Sequence, residues 1–242
     1  MTWSIIARDA SGALGVAVAS KFFAVGALCP HARSGLGALA TQALLNPLFV
    51  APGFEAMAQC THPEDIVRTL TDADEGRDHR QLHMIDDANR SAAYTGAACI
   101  DWCGHVAGDG YSVAGNMLAG PQVVARTAEF YEAHAHLDFA ERLILALAAG
   151  EAAGGDKRGK QGAALRVFTT EDYPALDLRV DDHDEPITEL QRLYAKSLER
   201  YQPFTHCLPS KARPAGLTDR SLIEAEVQRF HAARRAAHGT AE

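Results

Sequence analysis

Long apolar runs are missing from this sequence. The longest, Phe22 to Pro30 and Leu143 to Ala149, fall far short of the roughly 20 residues that a membrane-spanning helix needs. Basic charge is also scarce: 23 Lys and Arg stand against 31 Asp and Glu, a net charge of −8, and no basic run exceeds a few residues. Phosphate binding needs a concentrated basic face, so no nucleic-acid partner is expected. Cysteine is sparse, odd in number and scattered (Cys29, Cys60, Cys99, Cys103, Cys207), which suits reduced thiols and argues against a disulfide framework. The N-terminus has no basic segment followed by a long apolar core, so no secretory signal is read there and a cytoplasmic protein is expected.

Motifs for bound groups are lacking too. Cys99, Cys103 and His105 have the wrong spacing for a zinc knuckle, and His79, His83, His134, His136 and His183 are spread through polar segments, expected mostly at the surface, without an H-E-x-x-H pattern. Gly35 to Ala40 imitates a dinucleotide turn but has neither the following helix start nor the acidic residue. No metal and no cofactor is expected. What is present is a 242-residue chain that is 47% hydrophobic and 22% charged, enough to bury a sizeable core.

The pattern predicts an opening hairpin, residues 2 to 8 and 13 to 20, around Asp9-Ala10-Ser11-Gly12. A second strand pair follows, Ala27 to Ser34 and Gly37 to Gln42. Pro52 to Glu55 leads into a helix, and Pro63 starts another that Thr61 or His62 caps. His83 to Asp86 and Ser91 to Gly96 read as strands, and Val106 to Gly115 as irregular glycine-rich structure. Helices are expected from Pro121 to about Ala133 and from Phe139 to Ala149, the latter closed by Gly150, before two last strands, Ala163 to Phe168 and Leu176 to Val180. Strands bunched in this way argue for an α+β fold of antiparallel sheets sandwiched by helices. From about residue 186 the composition changes. The expected organisation is a domain over 1–185 and a helical extension over 186–242, with helices Ile187 to Arg200 and Ser221 to His238 whose Ala-rich surfaces suit a homodimer.

Several polar residues stand out. Thr41 and Gln42 form a polar pair inside the small-residue run Ala-Thr-Gln-Ala, and must be hydrogen-bonded or face a cavity. Asn116 can donate to a developing oxyanion or pin a turn. In Gly154 to Gln161, glycines permit close approach, while Asp156, Arg158 and Gln161 offer contacts to a ligand; Asp156 and Arg158 can equally form a structural ion pair.

Five segments, Thr2 to Asp9, Gly15 to Lys21, Ala40 to Ala43, Gly110 to Gly120 and Gly154 to Gln161, resemble in order and spacing the bacterial family called domain of unknown function 1028, over about residues 2–195. That family is similar to the N-terminal nucleophile hydrolases, which implies a four-layer αββα sandwich of two antiparallel sheets. Ala19 stands where the proteasome pattern of that superfamily has an acidic residue, ahead of Ser20-Lys21. Removal of Met1 would give Thr2 a free α-amine beside its hydroxyl, nucleophile and base in one residue. Thr2 can also be an ordinary β-branched strand residue. Ser4, on the same strand face, is the competing nucleophile or a buried hydroxyl. Lys21 is expected near the nucleophile, where its charge would act on the amine, and Ser20 beside the substrate. The resulting expectation is hydrolysis of an amide or other C–N bond of a small metabolite, with Thr2, Lys21 and Asn116 catalytic and Ser4, Ser20, Thr41, Gln42, Asp156, Arg158 and Gln161 binding substrate. The rival is a catalytically silent sandwich that binds a small ligand or partner subunit.

Overall fold

Asp9 makes the first reversal of the chain. Its Oδ1 accepts from the Ser11 and Ala13 amides at 2.8 and 2.9 Å and from the Ser11 hydroxyl at 2.6 Å, an Asx-type turn that folds β2 (Leu14–Ser20) back on β1 (Thr2–Arg8). In the computed structural model, which describes residues 2–238, the chain continues through β3 (Pro30–Arg33), β4 (Gly37–Ala43), α1 (Val50–Ala58), α2 (Pro63–Asp72), β5 (Arg80–Asp86) and β6 (Ser91–Thr95). It goes on through β7 (Trp102–Gly108), β8 (Tyr111–Leu118), α3 (Pro121–Ala133), α4 (Phe139–Ala152), β9 (Gly162–Phe168), β10 (Leu176–Val180), α5 (Pro186–Glu199), α6 (Tyr201–Thr205) and α7 (Arg220–His238). It divides after Gln191 into two compact units.

The first unit holds two antiparallel sheets, ordered β10-β9-β2-β1-β8-β7 and β3-β4-β5-β6. Helices α3 and α4 cover the six-stranded sheet, α1 and α2 cover the four-stranded one, and the uncovered faces pack on each other, so the architecture is an αββα sandwich. Strand periodicity explains the layering. On β4, Ala38 and Ala40 join Ile6, Val16, Val18 and Ile85 between the sheets, while Leu39 joins Phe54, Met57, Ile66, Leu82 and Met84 beneath α1 and α2. Burying each such Leu, Ile or Met contributes about 1.5–3 kcal/mol. His62 caps α2, its Nδ1 accepting from the Glu64 amide at 3.3 Å.

The structure corrects three local expectations. Val106 to Gly115 is not irregular: β7 and β8 form a hairpin through Asp109-Gly110, with Gly110 at φ 76°, and Asp-Gly is a strong hairpin signal. Helix α4 runs through Gly150 because that residue is a packing glycine, where a Cβ would sit 2.3 Å from Thr127 Oγ1 and 2.9 Å from Trp3 Nε1. Val25–Ala27 is a 3₁₀ turn, so β3 starts only at Pro30.

The second unit contains the end of α5, with α6 and α7. Arg200 pairs with Glu224, and the Leu217 amide donates to the Cys207 carbonyl at 2.8 Å. Among the described residues no helix is long and apolar enough to cross a membrane.

Candidate active site at the start of β1

The central strand β1 presents alternate residues to the two layers. Trp3 lies on the side of α4, and Thr2, Ser4 and Ile6 face the second sheet, where Ser4 reaches residues of β4 and β5. Thr2 is buried, with its Oγ1 3.1 Å from Ser20 Oγ at the end of β2. Across the other edge Thr2 pairs with Asn116 of β8, whose Nδ2 donates to the Thr2 carbonyl at 3.3 Å.

Behind Thr2 a polar network fills the space between the sheets, and its proton positions follow from fixed acceptors. Gln81 Nε2 donates to the backbone carbonyls of Gly115 and Gly104 at 2.9 and 3.2 Å, which orients that amide. Gln81 Oε1 therefore accepts, from Gln42 Nε2 at 2.7 Å and from Asn116 Nδ2 at 3.0 Å. Gln42 Oε1 must then face Ser4, whose hydroxyl donates to it at 2.7 Å. With its proton committed, Ser4 Oγ accepts from His83 Nε2 at 2.8 Å, and His83 Nδ1 in turn accepts from the Ser112 hydroxyl at 3.0 Å. Every member is buried. Desolvation holds the His83 pKa down at about 3, with His105 adding a smaller push, so the imidazole is neutral. Burial pushes the Cys29 thiol up to about 12, and its Sγ donates weakly to Gln42 Oε1 at 3.8 Å.

This ordering decides which groups are left for chemistry. Ser4 is not an activated nucleophile, because His83 donates to it rather than taking its proton. Both amide hydrogens of Asn116 are used, so the expected oxyanion donor is not available; its Oδ1 is instead a buried acceptor without a partner among the described residues. Gln42 Nε2 has one hydrogen on Gln81 and a second without an acceptor among the described residues.

Thr2 and Gln42 line a cavity of about 390 Å³ together with Phe22, Val25, Leu44 and Arg80. Strand β4 ends at Ala43 with φ 67°, a left-handed conformation that turns the chain along the cavity. A larger hollow of about 500 Å³, lined by Glu64, Arg68, Asp72, Tyr94 and His105, contains none of the expected site residues.

The other expected site residues have different partners. Thr41 Oγ1 accepts from the Asn46 amide at 2.9 Å and pins the turn after β4. Lys21 is exposed and its Nζ donates to the Lys160 carbonyl at 2.9 Å. Asp156 accepts from the backbone amides of Lys21 and Arg158, each at 2.8 Å, and from the Arg158 guanidinium at 3.3 Å. The Gln161 amide donates to the Ser20 carbonyl at 3.1 Å and its side chain to Asp182. Residues 154–161 thus clamp the end of β2 beside Thr2. Sequence reasoning missed Gln81, Thr95, whose Oγ1 accepts from Gln81 Nε2 at 2.9 Å, Ser112 and above all His83, one of the histidines expected mostly at the surface. The signal was there: in Gln81-Leu82-His83-Met84 polar residues alternate with large apolar ones, and polar side chains on the inner face of a strand must be hydrogen-bonded.

The fold and site together define an αββα two-sheet protein with a hydroxyl-bearing N-terminal strand at one cavity. The chain belongs to the family of unknown function DUF1028, whose model matches residues 2–190. It is similar to a Silicibacter pomeroyi protein of that family, with 32% identity and a TM-score of 0.84 over 90% of this chain and 96% of that one. The ancestral β-subunit Anbu of Yersinia bercovieri aligns over 81% of this chain and 94% of its own, with 10% identity and a TM-score of 0.40. No curated protein matches the chain.

Proposed function

We propose that this protein is an N-terminal-nucleophile hydrolase that cleaves an amide or related C–N bond of a small molecule, with Thr2 as nucleophile once Met1 is removed. The observation that carries this reading is Thr2 at the wall of the cavity, while the only competing hydroxyl on that strand face, Ser4, has its proton committed to Gln42.

The free α-amine, with an ordinary pKa of about 7.7–8.0, takes the Thr2 hydroxyl proton as Oγ1 attacks the carbonyl carbon. The C–N bond then breaks, the proton passes to the departing amine, and an ester is left on Oγ1. Water cleaves that ester, releasing the carboxylic acid and restoring the hydroxyl. Two refinements concern the partners of these atoms. The second Nε2 hydrogen of Gln42 supports that residue, in place of Asn116, as donor to the tetrahedral oxyanion. Asn116 Oδ1, without a partner among the described residues, suits the α-ammonium that forms during attack.

N-acyl p-nitroanilides supply the test. Thr2→Ala is expected to keep its melting temperature within a few degrees and lose turnover by about 1,000-fold or more, and Thr2→Ser to retain part of it. Full activity in Thr2→Ala ends the proposal. The five free thiols suit a cytoplasmic setting, and we extend the proposal to a homo-oligomer.

A further inference from the structure

We infer that the group held in the cavity is an uncharged, apolar acyl chain, the acyl half of the amide, resting on Phe22, Val25, Leu44 and Leu45. The inference rests on the reading of Thr2 as nucleophile at that same cavity. Two observations and the order of the proposed chemistry carry it.

The first is the lining. Apart from Thr2, Gln42 and Arg80, the walls are apolar, and the volume of about 390 Å³ lies in the range of small-molecule sites. Phe22 is 51% exposed and Leu44 62% exposed, so two large apolar side chains stand in water on the wall of one cavity. Grouped exposed apolar residues mark a surface that is covered by a ligand or partner.

The second is the state of Arg80, the one cationic side chain among the lining residues. Arg80 Nε donates to Asp74 Oδ2 at 3.0 Å and Nη1 donates to the Leu44 carbonyl. Its charge is matched by Asp74, and it pins the Leu44 segment in place, so the cavity carries no uncompensated charge from Arg80 to receive an anionic acyl group.

The third is the order of the chemistry. In acyl transfer to Thr2 the amine leaves with its proton after the first step, whereas the acyl group stays bonded to Oγ1 until water cleaves the ester. The half of the substrate held against Thr2 through both steps is the acyl half, and the apolar walls adjoin Thr2.

Calorimetric titration of Thr2→Ala, which keeps the cavity but cannot turn over, with propionamide, hexanamide and adipamate tests the inference. Burial of one methylene changes affinity by roughly four-fold, so hexanamide is expected to bind on the order of 60-fold more tightly than propionamide. Adipamate is expected to bind more weakly than hexanamide. Phe22→Ser and Leu44→Ser, each added to Thr2→Ala, are expected to weaken hexanamide several-fold and leave propionamide unchanged. Equal affinity for the two amides, no binding of either, or tighter binding of adipamate overturns the inference. So does a Phe22→Ser protein that binds hexanamide normally but turns from dimer to monomer, since that assigns the apolar rim to a second copy of the chain. Hexanamide binding without wild-type turnover of hexanoyl p-nitroanilide would remove the nucleophile reading and leave the acyl site standing. Equal kcat/KM for propionyl and hexanoyl anilides would do the reverse.

Discussion

His83 is buried with both ring nitrogens in hydrogen bonds, and its pKa of about 3 compares with an ordinary value of about 6.5 in an unfolded chain. Between those two values the unfolded chain binds a proton that the folded chain refuses. Stability is therefore intact above about pH 6.5 and falls as the pH drops toward 3, by at most about 1.4 kcal/mol per pH unit from this residue. Burial lowers His31 and His105 as well, which adds slope of the same sign. Urea titrations at pH 7, 6, 5 and 4 are expected to show His83→Gln with a shallower loss than wild type; parallel curves would mean that the buried imidazole is not what refuses the proton. Gln81 makes a second residue-scale prediction. Replacing it by Leu strands the amide hydrogens of Gln42 and Asn116 and two strand carbonyls, each costing about 1–3 kcal/mol when left unpaired, so a loss of about 3 kcal/mol or more in urea unfolding is expected. The sequence made Thr41, Gln42 and Asn116 visible because each interrupts a run of small residues. It did not make their roles visible, because the direction of every amide in the network is set by carbonyls of strands far away in sequence.

At the scale of elements, what was legible was governed by local chemistry. The Asp9 turn, the His62 cap and the Pro63 and Pro121 helix starts are each decided within four residues. Gly150 was misread because the same residue ends helices by conformation and joins them by closeness, and only the tertiary neighbours distinguish the two. Gly150→Ala in α4 tests that distinction. On helix propensity alone the change is stabilising by roughly 1 kcal/mol. The contacts with Thr127 Oγ1, Trp3 and the Val123 carbonyl argue for net destabilisation of about 1–3 kcal/mol, which thermal melts would register. A melting temperature that rises would mean that the α3–α4 packing yields easily.

For the whole molecule, the order of bunched strands and paired helices was enough to reach a helix-covered antiparallel sandwich, since antiparallel pairs follow from short connections and each apolar face needs a cover. The cavity was not legible, because its walls come from β1, the segment after β2, β4 and β5, and no local pattern records that they meet. Assembly is a further property at this scale. Helix α7 leaves Leu222 51% exposed, and a homodimer using that face is expected to appear in light scattering at micromolar concentration and to weaken in Leu222→Asp; a monomeric wild type would count against it. The most direct test of the central claim is peptide mass mapping of the purified protein after treatment with a β-lactone. The account predicts a mature N-terminus at Thr2 and an acyl adduct on the peptide covering residues 2–8 that disappears in Thr2→Ala and persists in Ser4→Ala. A retained Met1 with no adduct on that peptide, or an adduct that follows Ser4, would contradict it.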